Sequence, residues 1–468
     1  MSLLIKNPYL KTIQSISRRR KATVYLVGGF LRDQFLNRSG YDFDFAVSKN
    51  AIALSKDFAR AIKGAFVLLD EEHPCGRVVK KENGQIWTFD FSDFRASTIE
   101  RDLKLRDFTI NTLSLDVQKL GDKVLDREGA LKDLKLKTVR MVAPRAFSDD
   151  PLRLMRAFSL FAQLGFKIEA KTFVQIKKDA PLINKVSMER IREEFFKVLS
   201  SDRCYSTLLM MQKAGLLEKV IPQLGIMKGV YQGGYHHLDV WKHTLEVINQ
   251  FEELLTEIKD EFIQDYLQEE IAGGHKRYAL LKFACLLHDI GKPDTKKKEG
   301  TRMSFHSHEH VGAGITRLIA KQLKVSVKER YFLEDMVTWH LRPGYLSNFK
   351  KPSQRMIFRF LRDTKEEALS VLLLALADQR ATRGTLTTKA KEEHHRKICW
   401  SVIKNFIDSK NQKPLVRLIT GNDLIKKLKL KPSPLFAKIL SSVQEAQALG
   451  KISTKAEALG LASKIAKI

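Results

Sequence analysis

Residues 24–45 read VYLVGGFLRDQFLNRSGYDFDF. The stretch combines a strand-like apolar run, a glycine pair, a short amphipathic segment and two aspartates separated by one residue. Because side chains alternate between the faces of a β-strand, we expect Asp42 and Asp44 on one face and Phe43 on the other. One face would then carry charge while the other packs against a core.

This arrangement is typical of a site for a nucleoside triphosphate and its metals. Two neighbouring carboxylates repel each other, and Mg²⁺ relieves the repulsion while keeping substrate phosphates among its oxygen ligands. Gly28 and Gly29 let backbone N–H groups approach an anion, and a helix from Phe30 would point its positive end there. Taken separately, the glycine pair could be a tight turn and the Asp-Phe-Asp sequence an acidic loop edge. Their occurrence together in this order favours two-metal phosphoryl transfer by Asp42 and Asp44.

Composition indicates a soluble, multi-domain protein with a polyanionic partner. The 468 residues exceed one hydrophobic core, and 82 Lys+Arg against 54 Asp+Glu give a net charge of +28. Such an excess of positive charge favours nucleic acid as the binding partner. No apolar run approaches the length of a membrane-spanning helix, so we expect no membrane. The four cysteines are isolated, which predicts a reducing compartment and a cytoplasmic location.

Residues 102–111 read DLKLRDFTIN and offer donors and acceptors suited to ribose and triphosphate. Arg106 and Asp107 stand beside an apolar anchor, and Asn111 follows four residues later. A surface ion pair next to a core phenylalanine is the structural alternative for this segment alone.

Residues 148–158, SDDPLRLMRAF, provide a candidate base-reading group. A helix beginning near Asp149 would carry Asp150, Arg153 and Arg156 along one side at steps of three. A carboxylate beside guanidinium groups suits cytosine or adenine, each of which shows an exocyclic amine next to a ring-nitrogen acceptor. The structural alternative is an Asp150-Pro151 helix cap.

Six motifs in order, LVGGFLRD, DFD, ERDLKLRDFTINTLSLD, DREGALKDLKLKTVRMV, FSDDPLRLMRAF and ERIREEFF, resemble the class II tRNA nucleotidyltransferase and bacterial poly(A) polymerase superfamily over roughly residues 20 to 225. The resemblance implies an α+β fold, with a DNA polymerase beta-like head followed by an all-helical neck, body, HD domain and tail. It also implies that Asp42 and Asp44 bind Mg²⁺. The resemblance further implies that Arg106, Asp107 and Asn111 serve sugar and phosphate and that Asp150 and Arg153 read the base. The predicted nucleotide contacts also include Gly28, Gly29, Arg32 and Arg156. Asp90 is the candidate third carboxylate.

Five later segments, DVWKHTLEV, LKFACLLHDIGKPDT, FHSHEHVGAG, MVTWHLRPG and LLLALADQRA, resemble the HD phosphohydrolase superfamily over about residues 236 to 383. Imidazoles with carboxylates suit a transition metal such as Mn, Ni, Fe or Zn, and a bound metal would acidify water for attack on a phosphate ester. The ligands implied by the resemblance are His243, His288, Asp289 and Asp378, with His308 and His340 for a second metal or substrate. A buried core histidine is the alternative for His288 alone.

We therefore predict four segments: a nucleotidyltransferase head at 1–140, a helical neck and body at 141–235, an HD domain at 236–383, and a basic helical tail at 384–468 that contacts RNA. The tail carries 17 Lys/Arg against 6 acidic residues. The predicted reaction is template-independent addition of C and/or A to the tRNA 3′ end from CTP and ATP, with release of pyrophosphate.

Four alternatives remain open from the sequence. Two keep the chemistry and change the product: a poly(A) polymerase, and an enzyme that adds only CC or only A. The other two are an HD phosphohydrolase with an inactive head and a noncatalytic RNA-binding protein.

Overall fold

A computed structural model describes residues 7–300, 302–410 and 416–466, without the side chains of Glu299 and Arg302. The chain forms two compact units, Met1–Val220 and Ile221–Ile468. Their boundary falls inside the predicted neck and body. The limits of the four predicted segments remain predictions.

The first unit begins with mixed helices and strands and ends with helices. Its elements in chain order are α1 (Pro8–Arg19), β1 (Val24–Val27), α2 (Gly29–Phe35), β2 (Asp42–Val47), α3 (Ala51–Ile62), β3 (Ala65–Asp70), β4 (Cys75–Glu82), β5 (Gln85–Asp93), α4 (Ile99–Leu103), β6 (Ser114–Asp116), α5 (Ala130–Lys135), β7 (Thr138–Val139), α6 (Ala146–Asp149), α7 (Arg153–Leu164), β8 (Lys167–Ile168), α8 (Ala170–Asp179), α9 (Met188–Leu199), α10 (Cys204–Lys213) and α11 (Leu217–Val220).

Six strands form one sheet in the order β3-β4-β5-β2-β1-β6. Only β2 and β5 run parallel within it, and the other neighbours are antiparallel. Outside the six strands, Leu125 pairs with Ser114 through an isolated bridge. Because β2 is hydrogen-bonded to β5 on one side and to β1 on the other, both neighbouring strands fix the positions of Asp42 and Asp44.

Aromatic rings cover the inner face of the sheet. Phe43 stacks on Phe30 of α2 at 4.0 Å between ring centroids and on Phe89 of β5 at 5.2 Å. Phe45 stacks on Phe91 at 4.8 Å, and Phe58 of α3 meets Phe89 and Phe91 of β5 edge-on. The alternation along β2 thus follows the sequence prediction, with phenylalanines buried and Asp42 and Asp44 on the open face.

A helix does not run through the SDDPLRLMRAF segment. The α6 helix ends at Asp149, Asp150 has an extended backbone with φ −146° and ψ 100°, and α7 begins at Arg153. The predicted single helix from Asp149 is therefore wrong. Pro151 explains the break, because a proline sterically disfavours the helical conformation of the residue before it.

The second unit is mainly helical. After a 3₁₀ turn at Pro222–Met227 its elements are α12 (Val240–Glu257), α13 (Glu261–Gln268), β9 (Glu270–Ala272), β10 (His275–Lys276), α14 (Arg277–Leu287), α15 (Lys292–Thr295), β11 (Lys297–Glu299), β12 (Arg302–Ser304), α16 (His308–Gln322), α17 (Val327–Trp339), α18 (Arg342–Ser347), α19 (Gln354–Thr364), α20 (Ala368–Ala381), α21 (Lys389–Lys410), α22 (Gly421–Leu428), α23 (Pro434–Ala448) and α24 (Lys455–Ala466).

Two helices in this unit are apolar on nearly every side. All residues of α14 except Tyr278 are buried, and so are eleven residues of α20. Such helices occupy the centre of a helical domain, where neighbours cover their whole circumference. Both α14 and α20 pack against α12. Short ribbons, β9-β10 and β11-β12, interrupt the helices, which the sequence did not lead us to expect.

The last three helices form a small core of their own around Leu424, Ile439 and Ala458. Glu445 of α23 is buried and accepts hydrogen bonds from Arg355 and Arg359 of α19. These two guanidinium groups outweigh the effect of burial and lower the pKa of Glu445. The tail is therefore held to α19 by a charged contact inside the second unit.

Within the described residues, none of the helices has both the length and the apolar character that a bilayer crossing requires.

We predict that Phe43→Ala lowers the free energy of unfolding of the first unit by about 3–5 kcal/mol, because it removes the ring that joins α2 to the sheet. Phe35→Ala is the matched control, since Phe35 lies in the same unit with 43% of its surface exposed. Urea unfolding of both variants checks the prediction. Equal losses for the two variants would contradict the central role of Phe43.

Candidate active site and candidate metal centre

The glycine turn lies directly against one of the aspartates. The antiparallel register pairs Val27, the last residue of β1, with Asp44 of β2. Gly28 has φ +80°, a conformation that favours glycine, and a Cβ atom there would lie 2.8 Å from Asp44 Oδ2. Glycine is thus required for both the backbone turn and the room beside the carboxylate.

Three carboxylates share the open face of the sheet. Asp90 is the register partner of Asp44 on the parallel strand β5, so their side chains point the same way. Arg77 holds Asp90 through two 2.7 Å hydrogen bonds. The hydroxyl of Thr88 donates to Asp42. The candidate third carboxylate is therefore beside the pair, but an arginine occupies both of its oxygens.

The carboxyl of Asp44 has a perturbed pKa. Desolvation by the surrounding protein raises the pKa to about 6, although the side chain stays accessible through the open face. Arg106 opposes the shift and Asp90 adds to it. A carboxylate of this kind gains most from a nearby cation, because the cation offsets its lost hydration.

Arg106 and Arg156 bring positive charge to the aspartates. Arg106 is surrounded by protein and lies 3.6 Å from Asp102 Oδ2, and its Nε has no hydrogen-bond partner in the described part of the chain. Arg156 forms an ion pair with Asp107 at 2.7 Å. Burial alone would raise the pKa of Asp107, but Arg156 and hydrogen bonds from Asn111 and the Phe108 amide lower it to about 2. Asp107 is thus a fixed anion that holds Arg156 in place.

A short polar chain links the glycine turn to Asp107. Arg32 pairs with Asp33 at 2.9 Å and donates to Asn111 Oδ1 at 2.8 Å. Asn111 in turn donates to Asp107 Oδ1 at 3.0 Å. The sequence-predicted residues Arg32, Asp107 and Asn111 are therefore in contact, as members of one network.

These groups surround an open cavity of about 320 Å³. Its lining includes Gly28, Gly29, Arg32, Asp42, Asp44, Arg106, Asp107, Asn111 and Arg156, all predicted from the sequence, together with Ser159, Gln163, Glu194 and Lys197, which were not. Glu194 is buried, accepts from Ser159 and pairs with Lys197 at 2.7 Å. Glu194 belongs to the ERIREEFF motif, so the motif could have indicated its place in the cavity.

The candidate base-reading residues line a second cavity of about 190 Å³, which shares Arg106, Asp107 and Arg156 with the first. Asp150 caps the chain through the Leu152 amide at 3.2 Å, and its other oxygen lies 3.5 Å from Arg190. Arg190 was not predicted. Asp150 therefore shares the cavity with Arg153 and Arg156 although the helix between them is broken.

Arg153 is largely committed to the backbone. It is buried and donates to the carbonyls of Leu105 at 2.8 Å, Ala146 at 3.2 Å and Arg106 at 3.3 Å. A guanidinium has five N–H donors, so two remain for another partner. Arg153 thus braces the Arg106 segment and still presents donors.

In the second unit, six predicted residues from five separate segments meet in one cluster. Asp289 is at its centre. Its Oδ2 lies 3.2 Å from His288 Nε2 and 3.6 Å from His243 Nε2, while its Oδ1 lies 3.4 Å from His308 Nε2 and 3.7 Å from His340 Nε2. Asp378 Oδ1 lies 3.0 Å from His243 Nε2.

Backbone carbonyls fix the orientation of three imidazoles. The Nδ1 atoms of His288, His308 and His340 lie 2.9, 2.8 and 2.7 Å from the carbonyl oxygens of Cys285, Phe305 and Val337. Each Nδ1 therefore carries a proton, and each Nε2 is turned toward the cluster. Burial lowers the pKa of His340 to about 3, which keeps this imidazole neutral.

The cluster fits two metal ions that share Asp289. His243, His288 and Asp289 form one group with ligand atoms within 4.8 Å of each other, and Asp289, His308 and His340 form another. The buried Nε2 of His288 and Oδ1 of Asp378 have no hydrogen-bond partner among the described residues, which a metal would supply. The donor set of imidazoles and carboxylates is that of a transition metal and does not select one.

Three neighbours of the cluster were not predicted. Lys292 bonds to Asp289 Oδ2 and to Gln232, both at 2.6 Å, and the ring of His236 lies 4.6 Å from that of His243. Burial lowers the pKa of His236 to about 3. Lys292 belongs to the HDIGK sequence that was recognised, whereas Gln232 and His236 lie in a loop with no periodic pattern. His306 and His310, which flank His308 in sequence, are exposed.

Family models match most of the chain in the expected order. They are the poly A polymerase head domain at residues 24–140, the RNA- and SrmB-binding site of polymerase A at 165–227, the HD domain at 240–383, and tRNA nucleotidyltransferase domain 2 at 364–462. An A-adding tRNA nucleotidyltransferase of Deinococcus radiodurans is 30% identical over 443 residues, 92% of this chain and 93% of that protein.

The chain belongs to the tRNA nucleotidyltransferase family. A CC-adding tRNA nucleotidyltransferase of Geobacter sulfurreducens is 28% identical over 454 residues, 97% of this chain and 94% of that protein. The family therefore includes relatives of this chain with two different named products.

Solved structures show the same fold. A CCA-adding enzyme with ATP has a TM-score of 0.66 at 18% identity, covering 98% of this chain and 93% of its own. The Thermotoga maritima CCA-adding enzyme complexed with tRNA has a TM-score of 0.63 at 18% identity, covering 100% of this chain and 97% of its own. The predicted fold class, family and enzyme class, a tRNA nucleotidyltransferase with an HD domain, are confirmed. The roles of the site residues remain predictions.

The raised pKa of Asp44 predicts a pH limit for metal binding in the head. Below about pH 6 its carboxyl is protonated, so the apparent Mg²⁺ affinity should fall as the pH decreases through this value. At pH 5 we expect it to be about 10-fold weaker than at pH 7.5. Calorimetric Mg²⁺ titration at both values checks this. Arg106→Gln should move the midpoint upward, since Arg106 lowers the pKa, and a flat response from pH 5 to 7.5 would contradict the assignment.

Proposed function

We propose that the first unit adds C and/or A to the 3′ end of tRNA, taking CTP and ATP as substrates and releasing pyrophosphate. The supporting observation is the cavity in which Asp42 and Asp44 face the Gly28 turn and Arg106. This supports the proposal because carboxylates, which suit a metal ion, and a guanidinium, which suits phosphate, line one recess of about 320 Å³.

The two aspartates would hold two Mg²⁺ ions, which when bound activate the terminal ribose hydroxyl and neutralise charge on the leaving pyrophosphate. The residues of this chain supply position and charge. Gly28 and Gly29 leave room for phosphate oxygens next to Asp44. Arg106 and Arg156 attract the triphosphate, and Asp107 keeps Arg156 oriented through their 2.7 Å ion pair.

We assign base selection to the smaller cavity, which Asp150 and Arg153 line. Asp150 offers an acceptor and Arg153 two remaining donors, which complement the amine and ring nitrogen of cytosine or adenine. Uracil and guanine present a carbonyl and a ring N–H, so each mismatched contact would cost roughly 1–3 kcal/mol. Arg190, 3.5 Å from Asp150, adds positive charge beside the carboxylate.

The RNA partner is supported by charge and by the relatives. A net charge of +28 favours phosphate contacts over base reading. The structures similar to this chain include one complexed with tRNA and one with ATP. We propose that the basic tail contributes to this contact, and that the protein works in the cytoplasm.

Three tRNA substrates separate the possible products: one ending before CCA, one after the first C, and one after both. Each is incubated with labelled CTP or ATP alone. Incorporation of both nucleotides supports full CCA addition, and incorporation of one supports divided labour. Long A tails on any RNA would instead favour a poly(A) polymerase.

A second function is proposed for the cluster around Asp289, namely metal-dependent hydrolysis of phosphate esters. The supporting observation is the pair of ligand groups that share this one carboxylate. His243, His288, Asp289 and Asp378 would hold one ion, with His308 and His340 for a second ion or for substrate. When bound, the metal would acidify water. Lys292, bonded to Asp289, adds positive charge for a phosphate.

We predict that Asp44→Asn reduces nucleotide addition by at least about 1,000-fold, because one side of the metal site loses its charge. Asp122→Asn, an exposed change in the same unit, is the matched control. Incorporation of labelled CTP and ATP into tRNA is the measurement. Normal addition by Asp44→Asn would show that the proposed active site is wrong.

For the second unit, Asp289→Asn should lower the bound transition metal and abolish phosphatase activity while nucleotide addition persists. The asparagine keeps the shape of the side chain, and Asp294→Asn, an exposed neighbour, is the control. Metal content by mass spectrometry and hydrolysis of p-nitrophenyl phosphate are measured. Full metal content in Asp289→Asn would contradict the assigned ligands.

A further inference from the structure

Two exposed tyrosines flank the Asp289 cluster within one short loop. Tyr231 and Tyr235 are 58% and 53% exposed. Tyr231 is followed by Gln232, which is buried and bonds to Lys292, the partner of Asp289. Tyr235 is followed by His236, whose ring lies 4.6 Å from that of His243. Each tyrosine is therefore the sequence neighbour of a residue that contacts the cluster or its partner Lys292.

The loop that carries these rings is held in a defined conformation. The amides of Gly384 and Leu386 donate to the carbonyls of Tyr235 and Gly234 at 2.8 and 3.1 Å. A Cβ added at Gly384 would overlap the Tyr235 backbone at about 2.2 Å, so only glycine allows this close approach. Tyr235 is thus a fixed feature of the surface.

Exposed cations lie next to the same loop. The segment after Lys292 carries Lys296, Lys297 and Lys298, all exposed, and the last two lie on β11 of the β11-β12 ribbon. None of the three forms an ion pair with a described side chain. The ribbon reaches the loop, since Met303 Cβ lies 3.8 Å from a Cβ built on Gly233.

Lys391 lies on the other side of the loop, with its Nζ 5.9 Å from the Tyr235 ring centroid. A cation therefore lies close to the Tyr235 ring.

We propose that this surface, Tyr231, Tyr235, Lys298 and Lys391, is a binding platform for single-stranded RNA that delivers a strand end to the Asp289 cluster. Of the two β11 lysines, Lys298 is the register partner of Met303 and so shares its face of the ribbon. The proposal rests on the phosphohydrolase function proposed above and names its substrate class: the end of an RNA strand, in preference to a mononucleotide or a small phosphate ester.

The chemistry of the surface matches that of an unpaired strand. Aromatic faces stack bases of any sequence, and lysines follow the phosphate backbone. A mononucleotide would engage only one ring and would leave Lys298, on the β11 side of the loop, without a phosphate partner. A folded acidic protein would not need flat, accessible rings beside the charges.

Binding is tested first, in the intact enzyme, with a 5′-fluorescein-labelled eight-nucleotide RNA that ends in a 3′-hydroxyl and cannot be dephosphorylated. Tyr231→Ala and Tyr235→Ala should each raise the Kd about 5-fold or more, whereas Tyr235→Phe, which keeps the ring, should bind like the wild type. Lys298→Gln with Lys391→Gln should reduce the salt dependence of binding. Tyr331→Ala is the control, because Tyr331 is equally exposed at 56% in the same unit.

Hydrolysis is tested second, with the same RNA carrying a 3′-phosphate, the matching nucleoside 3′-phosphate, and p-nitrophenyl phosphate. The tyrosine variants should lower kcat/KM for the RNA relative to both small esters. Equal losses for all three substrates, or tyrosine variants that bind RNA within twofold of wild type, would overturn the platform. If the wild type hydrolyses none of the esters with any metal, the phosphohydrolase function fails, and the binding measurement still decides the platform separately.

Discussion

The antiparallel pairing of β1 with β2 is the constraint on which the head depends. Its register brings Val27 opposite Asp44, so the turn that follows β1 must pass the carboxylate at close range. Only glycine fits there, because Gly28 has a positive φ and a Cβ would lie 2.8 Å from Asp44 Oδ2. The opposite face of β2 carries the phenylalanine stack, which ties the position of the two aspartates to the packing of the core.

The second unit uses one carboxylate in a comparable way. Asp289 presents one oxygen to His243 and His288 and the other to His308 and His340. Burial raises the energy of its charged form, and His288 and Lys292 more than offset this, which lowers the pKa of Asp289. The charge of Asp289 is thus stabilised by groups that also orient the site.

In the segment from Asp150 to Arg156, the conformation differs from the one that residue spacing predicts. The spacing of Asp150, Arg153 and Arg156 fits one helix face, but Pro151 forces Asp150 into an extended conformation. The three side chains still line one cavity, because α6 and α7 are held against the Arg106 segment by the hydrogen bonds of Arg153. Proximity here comes from packing between segments and not from helical periodicity.

The sequence by itself determined the strand that carries Asp42 and Asp44 on one face, the glycine turn, the order of the motifs and the six residues of the Asp289 cluster. These follow from local alternation, from backbone demands on single residues and from motifs that have few alternative explanations. Only the tertiary structure decided that Glu194 and Lys197 line the head cavity, that Arg77 occupies Asp90, and that Gln232 and His236 border the second cluster. Such contacts join residues far apart in the chain, and neither spacing nor composition encodes which distant side chains pack together.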